Sequence, residues 1–254
     1  MGYFTVEVKP TITASKQAAF ANKDVLFDWT SFQVPRGANK LVSVTAIFRG
    51  TNGAIQTARD MDLFFAKSIS GTAPVTLGAI NATTTAAPIT TNHLLGMAHI
   101  DTADYGQSGW DYINIAQTGS GAAASLIPNM VLEGDPNSGD NVGYDTLYLG
   151  GIAGGAFDFG TTVLVSNAIA ADNTTVIPTQ ATSDGDDDPN AELKFAVGDV
   201  IHSATDDELG TIASIASFST AQNITLTANN VDAIADNEEI FNINPIRIVL
   251  SFEK

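Results

Sequence analysis

The last segment of the chain constrains the fold more than any other stretch. After Pro245, apolar side chains alternate with more polar ones from Ile246 to Phe252. A period of two predicts a β-strand with one buried face. The N-terminal residues alternate in the same way, with Phe4, Val6 and Val8 on one face. We therefore predict that the two ends of the chain pair as neighbouring strands of one sheet.

The residues before Pro245 predict a second, smaller unit. Between Phe195 and Ile243, short β-like runs alternate with clusters of turn-forming residues, a spacing typical of a small and strongly bent sheet. We predict a small β-barrel over residues 194–244, with one helical turn over residues 229–235 closing one end. Residues 1–193, completed by residues 245–254, would form the main domain.

The main domain contains about nine or ten further strand-like segments and hardly any amphipathic helix. Three of the strongest, residues 25–34, 41–49 and 62–69, carry most of the early aromatic side chains. Only 15% of the residues are charged, which favours sheets and turns over exposed helices. The predicted fold is all-β: an antiparallel, jelly-roll-like β-sandwich with a small β-barrel inserted before its last strand.

The composition excludes several classes of protein. The chain has no cysteine, so it holds no disulfide framework and no thiolate metal site. The N-terminus lacks the charged and apolar regions of an export signal, and no apolar run approaches the roughly 18 residues that cross a bilayer. We expect a soluble protein with no membrane partner and no cofactor.

The charge is distributed very unevenly along the chain. The net charge is −17, yet basic residues outnumber acidic ones in residues 1–67, while residues 68–193 contain no Lys or Arg. Such a surface repels DNA, so we expect no nucleic-acid partner. The N-terminal third is predicted to dock on an acidic partner through Lys16, Lys23, Arg36 and Lys40. The alternative is that the charge serves only solubility.

One acidic run could hold a cation. Asp184, Asp186, Asp187 and Asp188 place four carboxylates within five residues, and clustered oxygen atoms suit a hard cation such as Ca²⁺. The spacing is not that of an EF-hand, and no glutamate closes a 12-residue loop. The alternative is a solvated loop without a ligand.

Other residues give little support for catalysis or metal binding. His93, His99 and His202 show no metal-ligand spacing, so no metal site is predicted. No nucleophile elbow, phosphate-binding loop or zinc-protease motif occurs. Tyr105, Trp110 and Tyr112 beside a glycine-rich loop could form a carbohydrate platform, although core packing is the simpler interpretation. We predict that the protein is not an enzyme, and a glycan-degrading enzyme remains the alternative.

A resemblance adds a function to this interpretation. The series GDVI, ELGTIASI, ITLTANN and IADNEEIFNI, followed by NPIRIVLSFEK at the C-terminus, resembles virion structural proteins of tailed bacteriophages. The similarity is specific over residues 195–254 and only compositional before them. Such proteins decorate the outside of the head as cement proteins or belong to the tail, and the resemblance supplies no catalytic residues.

The resemblance implies a capsid decoration protein that stabilises the outer head surface. Its partners would be the major capsid protein or other virion proteins, and we expect a homo-oligomer, most simply a trimer. The barrel and the acidic loop would point outward from a capsid assembled in the host cytoplasm. The alternative is a tail or receptor-binding module that recognises a host glycan.

Overall fold

The computed structural model describes residues 2–49, 58–106, 113–120, 125–136, 143–159, 162–180, 190–218 and 222–254. Strands dominate this part of the chain, and the helices are single turns. The strands are β1 (Tyr3–Val8), β2 (Val25–Pro35), β3 (Asn39–Arg49), β4 (Met61–Lys67), β5 (Leu94–Ile100), β6 (Tyr105–Gly106), β7 (Ile113–Gln117), β8 (Met130–Leu132), β9 (Tyr144–Ala153), β10 (Thr162–Leu164), β11 (Val176–Thr179), β12 (Val200–Ser203), β13 (Glu208–Ile215), β14 (Gln222–Leu226), β15 (Glu239–Asn242) and β16 (Ile246–Glu253). The helices are α1 (Ala86–Thr90), α2 (Ala191–Lys194) and two 3₁₀ turns at Ala14–Lys16 and Thr102–Asp104.

Eight strands of the main domain pair in a nested order. With the short β6 and β8 left aside, the first strand pairs with the last (β1 with β16) and the second with the seventh (β2 with β9). The third pairs with the sixth (β3 with β7) and the fourth with the fifth (β4 with β5), all antiparallel. A long hairpin of four strand pairs that rolls up in this way is a jelly roll. The predicted fold class is therefore confirmed.

Two further pairings join these strands into sheets. β16 also pairs with β3, and β4 also pairs with β9, which gives the sheet orders β1-β16-β3-β7-β6 and β2-β9-β4-β5. β8 adds to the first sheet beside β3. The predicted pairing of the two chain ends is confirmed, with Phe4 directly opposite Phe252 and their rings stacked at a centroid distance of 5.1 Å.

The core lies between the two sheets, where the inward faces of the strands meet. Its largest fully buried side chains are aromatic: Phe20, Phe27, Phe48, Phe65, Phe157, Phe159 and Phe252. One close approach requires glycine. A Cβ atom at Gly151 in β9 would overlap the ring of Phe27 in the paired strand β2. Gly151 thus allows the close packing of Phe27 against the backbone of β9.

The second unit is a six-stranded, nearly closed sheet with the order β10-β15-β12-β13-β14-β11. Its two outer strands approach each other through the antiparallel bridge between Val165 and Thr179 and a hydrogen bond from Gln180 N to Leu164 O at 2.9 Å. Two of its strands, β10 and β11, precede residue 194, where the barrel was expected to begin. The four later strands could not close by themselves, because a barrel needs enough strands to curl around a packed interior.

The barrel interior is filled by aliphatic side chains, among them Val163, Ile177, Ile201, Leu209, Ile212, Ile224 and Ile240. The helical turn expected over residues 229–235 is wrong. That segment is irregular, and its fully buried Asn230 donates to Ala170 O and Asp232 O and accepts from the backbone of residues 173 and 174. The Asn side chain replaces the backbone pairing that a helix would have supplied.

The connection between β4 and β5 covers the outer face of the β2-β9-β4-β5 sheet. Leu77 is buried there against Val25 and Ile152, with Trp29 and Ile89 packed beside them. Trp29 Nε1 donates to Val75 O at 2.8 Å, and Asp28 Oδ1 accepts from Leu77 N at 2.8 Å. Both faces of this sheet are therefore packed at its centre.

Candidate functional site

The four predicted docking residues lie at opposite ends of the sandwich. Lys23 lies just before β2, and Arg36 immediately follows it, so an 11-residue strand of roughly 33 Å separates them. Lys16 follows Ser15, which bonds to the barrel, and therefore shares the barrel end with Lys23. Lys40 lies at the start of β3 near Arg36, at the end away from the barrel. The docking residues form two pairs, not one patch.

The pair at the far end is partly neutralised within the chain. Arg36 Nε lies 3.4 Å from Asp145 Oδ1, and Lys40 Nζ lies 3.5 Å from Glu253 Oε2. Lys254 Nζ donates to Arg36 O at 2.7 Å, which adds a third positive charge at this end. Arg36 and Lys40 still have about half of their side chains exposed, so both remain accessible to a partner.

Exposed apolar side chains lie beside Lys40. Leu126 is 91% exposed and Ile127 57%, and both line a shallow groove with Lys40 and Val42. Val131, also largely exposed, stands directly opposite Lys40 in the pairing of β8 with β3. Exposed apolar side chains grouped in this way are typical of an interaction site.

Other predicted site residues lie outside the described part of the chain. These are the acidic run Asp184, Asp186, Asp187 and Asp188, and the aromatic residues Trp110 and Tyr112. Tyr105 is described, and its ring stacks on Phe48 at 5.5 Å while its hydroxyl donates to Arg59 O at 2.7 Å. Burial raises the pKa of Tyr105. This ring belongs to the core and not to a carbohydrate platform.

A polar seam joins the barrel to the sandwich. Gln17 Nε2 donates to Asn242 O at 2.6 Å and to Ile12 O at 2.8 Å, and Asn244 Nδ2 donates to Pro10 O at 3.0 Å. Gln17, Asn242 and Asn244 are all buried. Because buried amides are costly unless they are hydrogen-bonded in one geometry, the seam fixes how the barrel sits on the sandwich.

The seam contains one buried ion pair. Arg49, the last residue of β3, places its guanidinium 3.5 Å from Asp199 Oδ2, and Asp199 is only 1% exposed. The same carboxylate oxygen accepts from Asn242 Nδ2 at 2.7 Å and from Ala196 N at 2.8 Å. Burial lowers the pKa of Arg49, Asp199 raises it and the nearby Arg247 lowers it further.

A second contact across the seam is at the surface. Asp206 in the β12–β13 turn accepts from Ser15 Oγ at 2.6 Å and from Ser15 N at 3.0 Å. Partial burial alone would raise the pKa of Asp206, but the two hydrogen bonds from Ser15, with help from Thr13 and His202, hold it below its ordinary value.

A group of ionisable side chains that the sequence did not reveal lies on the edge strand β5 and its neighbour β4. Asp62 stands directly opposite His99, and its Oδ1 lies 2.7 Å from His99 Nδ1. Asp60 and Asp101 flank this pair, and one ligand atom each from Asp60, His99 and Asp101 lies within 4.8 Å of the others. Slight burial would lower the pKa of His99, but the bond to Asp62 and the charges of the three carboxylates raise it.

Sequence spacing missed this group because its members come from two strands. Asp60 and Asp62 are close in sequence, as are His99 and Asp101, but 37 or more residues separate these two pairs, and only the pairing of β4 with β5 brings them together. A signal was present in the alternation Asp60-x-Asp62 and His99-x-Asp101, since alternate residues share one face of a strand.

Comparisons with known proteins give no family. No protein-family model and no curated protein matches the chain. Among solved structures, the VP2 subviral particle of infectious bursal disease virus is similar at 11% identity and a TM-score of 0.15, over 99% of this chain and 41% of that one. The T13 particle of the same virus gives 11% identity and a TM-score of 0.14, over 98% and 39%. The chain thus spans about two fifths of these proteins, and TM-scores this low do not indicate a shared fold.

The helices of the described ranges are short. None of them has the length and apolar character needed to cross a bilayer.

Proposed function

We propose that this protein is a structural component of a virion, a decoration protein that binds the outer surface of the capsid as a homo-oligomer, most simply a trimer. The observation that carries the proposal is the complete nested pairing of eight strands, because the jelly roll is an architecture that viral capsid domains use widely. The barrel inserted before the last strand supports it, since a small unit held on one end of a rigid sandwich suits an outward-facing projection.

The geometry also favours one orientation on the capsid. The barrel occupies the end of the sandwich that carries Lys16 and Lys23, so a barrel that points outward leaves the opposite end for the shell. That end carries Arg36 and Lys40, with exposed Leu126 and Ile127 beside them. Positive charge next to apolar area would suit an acidic shell, and repetition around a symmetry axis would multiply weak contacts.

The two pairs of basic residues provide a matched test. Capsids assembled without this protein are mixed with the purified chain, and bound protein is measured by co-sedimentation. We expect Arg36→Glu/Lys40→Glu to reduce binding at least tenfold and Lys16→Glu/Lys23→Glu to leave it nearly unchanged. Circular dichroism checks that both variants are folded. The variant Arg36→Ala/Lys40→Ala is a further control, because it removes the two positive charges without placing new acids beside Asp145 and Glu253. Loss of binding only in the Lys16/Lys23 variant would overturn the orientation.

Jelly rolls also occur in lectins. A glycan-binding tail module is therefore the second candidate function. The copy number of the protein in purified virions separates the two functions. Hundreds of copies per particle support the decoration protein, whereas a handful, together with binding of the isolated protein to a host glycan, supports the tail module.

A further inference from the structure

We propose that Asp60, His99 and Asp101 bind a divalent transition-metal ion, with Asp62 as the residue that orients the histidine. The inference does not depend on the proposed function, because it follows from the arrangement of side chains on β4 and β5.

The pairing of β4 with β5 places the donors on one face. Asp62 is directly opposite His99, while Asp60 lies two residues before Asp62 and Asp101 two residues after His99. Asp60 immediately precedes β4 and Asp101 immediately follows β5, so both continue the alternation of Asp62 and His99 just beyond the strand ends. The ligand atoms of Asp60, His99 and Asp101 lie within 4.8 Å of one another. Ligands of a tetrahedral ion with bonds of about 2.0–2.1 Å are roughly 3.4 Å apart, a difference that small side-chain rotations close.

The imidazole of His99 has a carboxylate partner. Asp62 Oδ1 lies 2.7 Å from His99 Nδ1. Metal-binding histidines almost always donate one ring N–H to a carboxylate or carbonyl group, which fixes the ring and raises the basicity of the other nitrogen. We assign Nε2 as the metal ligand, because Nδ1 is held by Asp62. Asp62 is a positioning residue and not a ligand.

The two ligand carboxylates are held by backbone N–H groups. Asp60 Oδ1 accepts from Thr102 N at 2.9 Å, and Asp101 Oδ1 accepts from Ala103 N at 2.8 Å. Both bonds come from the 3₁₀ turn that follows β5, so the end of β5 and the residue before β4 are already aligned. Donors that are fixed before binding lose little side-chain freedom when an ion enters.

The donor set selects the class of ion. One imidazole nitrogen and two carboxylate oxygens suit Zn²⁺, Mn²⁺ and related first-row ions, whereas Ca²⁺ and Mg²⁺ prefer oxygen ligands alone. Three protein ligands leave at least one position for water. An ion here would neutralise clustered carboxylates and tie the start of β4 to the end of β5.

The test is isothermal titration of the metal-stripped, full-length protein with Zn²⁺, and with Ca²⁺ in parallel. We expect one Zn²⁺ per chain, with affinity reduced at least tenfold by His99→Gln or Asp60→Asn. Asp62→Asn should weaken binding about 10–100-fold, the usual loss when the partner of a ligating histidine is removed. His93→Gln and Asp236→Asn are matched controls on an uninvolved histidine and an uninvolved exposed carboxylate, and both should bind as the parent does.

Thermal unfolding gives an independent measurement. At a free Zn²⁺ concentration of about 100 times Kd, the parent should melt roughly 5 °C higher, and His99→Gln should show no shift. Zn²⁺ affinity unchanged by His99→Gln would overturn the proposal. The proposal would also be overturned if Ca²⁺ bound as tightly as Zn²⁺ and His99→Gln did not change the Ca²⁺ affinity. Carboxylates alone would then explain the binding.

Discussion

The sandwich and the barrel bury their apolar side chains by different means. Eight phenylalanines lie in the buried core of the sandwich, but Phe195 is the one phenylalanine in the buried cluster of the barrel. The sandwich strands β2 and β3 are 11 residues long, whereas the barrel strands β10, β11, β12 and β15 have only three or four. Long strands with large aromatic side chains pack well between two sheets, while short aliphatic strands must close on themselves to exclude water.

The junction between the two regions differs from both cores. Arg49, Asp199, Gln17 and the amides of residues 242 and 244 make it polar and hydrogen-bonded. Apolar surfaces can slide with little loss, but a buried polar network is satisfied in one arrangement only. The cores therefore bury the apolar side chains, and the seam fixes the position of the barrel on the sandwich.

The largest expected effect lies in the sandwich. Phe252 is fully buried, stacks on Phe4 and sits in β16 between β1 and β3. Phe252→Ala should therefore lower the free energy of unfolding by about 3–5 kcal/mol, as measured by urea denaturation with tryptophan fluorescence. Tyr3→Ala, on the paired strand but 73% exposed, should change it by less than about 0.5 kcal/mol. Equal effects of the two changes would contradict the assignment of the core.

The second largest effect on stability is expected from substitutions in the seam. Asp199→Asn leaves the buried charge of Arg49 without its partner, and we expect a loss of about 3 kcal/mol in the free energy of unfolding. Hydrogen exchange should then rise in β12 and β15 before it rises in β2 and β9. The double variant Arg49→Met/Asp199→Asn should recover part of the loss because neither charge of this buried pair is left. A double variant less stable than Asp199→Asn would refute this explanation.

The surface contact across the seam should have the smallest effect. Asp206→Asn weakens the bonds from Ser15, and we expect a loss of about 1 kcal/mol in the free energy of unfolding near neutral pH. Asp207→Asn, on the neighbouring turn residue, is the matched control, because the carboxylate of Asp207 accepts from Thr205 within its own turn. An equal loss in both variants would show that the turn itself, and not the contact with Ser15, is the source of the effect.

The pH dependence of this effect has a defined sign. The pKa of Asp206 in the folded protein lies below its ordinary value of 3.8, so the ionised carboxylate favours the folded state. Its contribution is complete above the unfolded pKa and is lost as the pH falls through the folded pKa. The difference between the parent and Asp206→Asn, measured by unfolding at pH 6 and at pH values below 3.8, should therefore shrink at low pH. A difference that grows on acidification would show that the pKa is raised.

The local features of the fold follow from the order of the residues alone. Alternation in residues 246–252 and at the N-terminus fixed which side chains face inward, and the pairing of β1 with β16 follows because two such faces share one core. The all-β class and the inserted barrel were predicted for the same reason, since a period of two depends only on the alternating direction of side chains along a strand.

The contacts between distant segments are visible only in the three-dimensional structure. β10 and β11 belong to the barrel because they pair with β15 and β14, which lie far along the chain from them. The same holds for Asp60 with His99 and Asp101, and for the division of the basic residues between two ends of the sandwich. These arrangements depend on hydrogen bonds and packing between remote parts of the chain, which no local pattern of residues encodes.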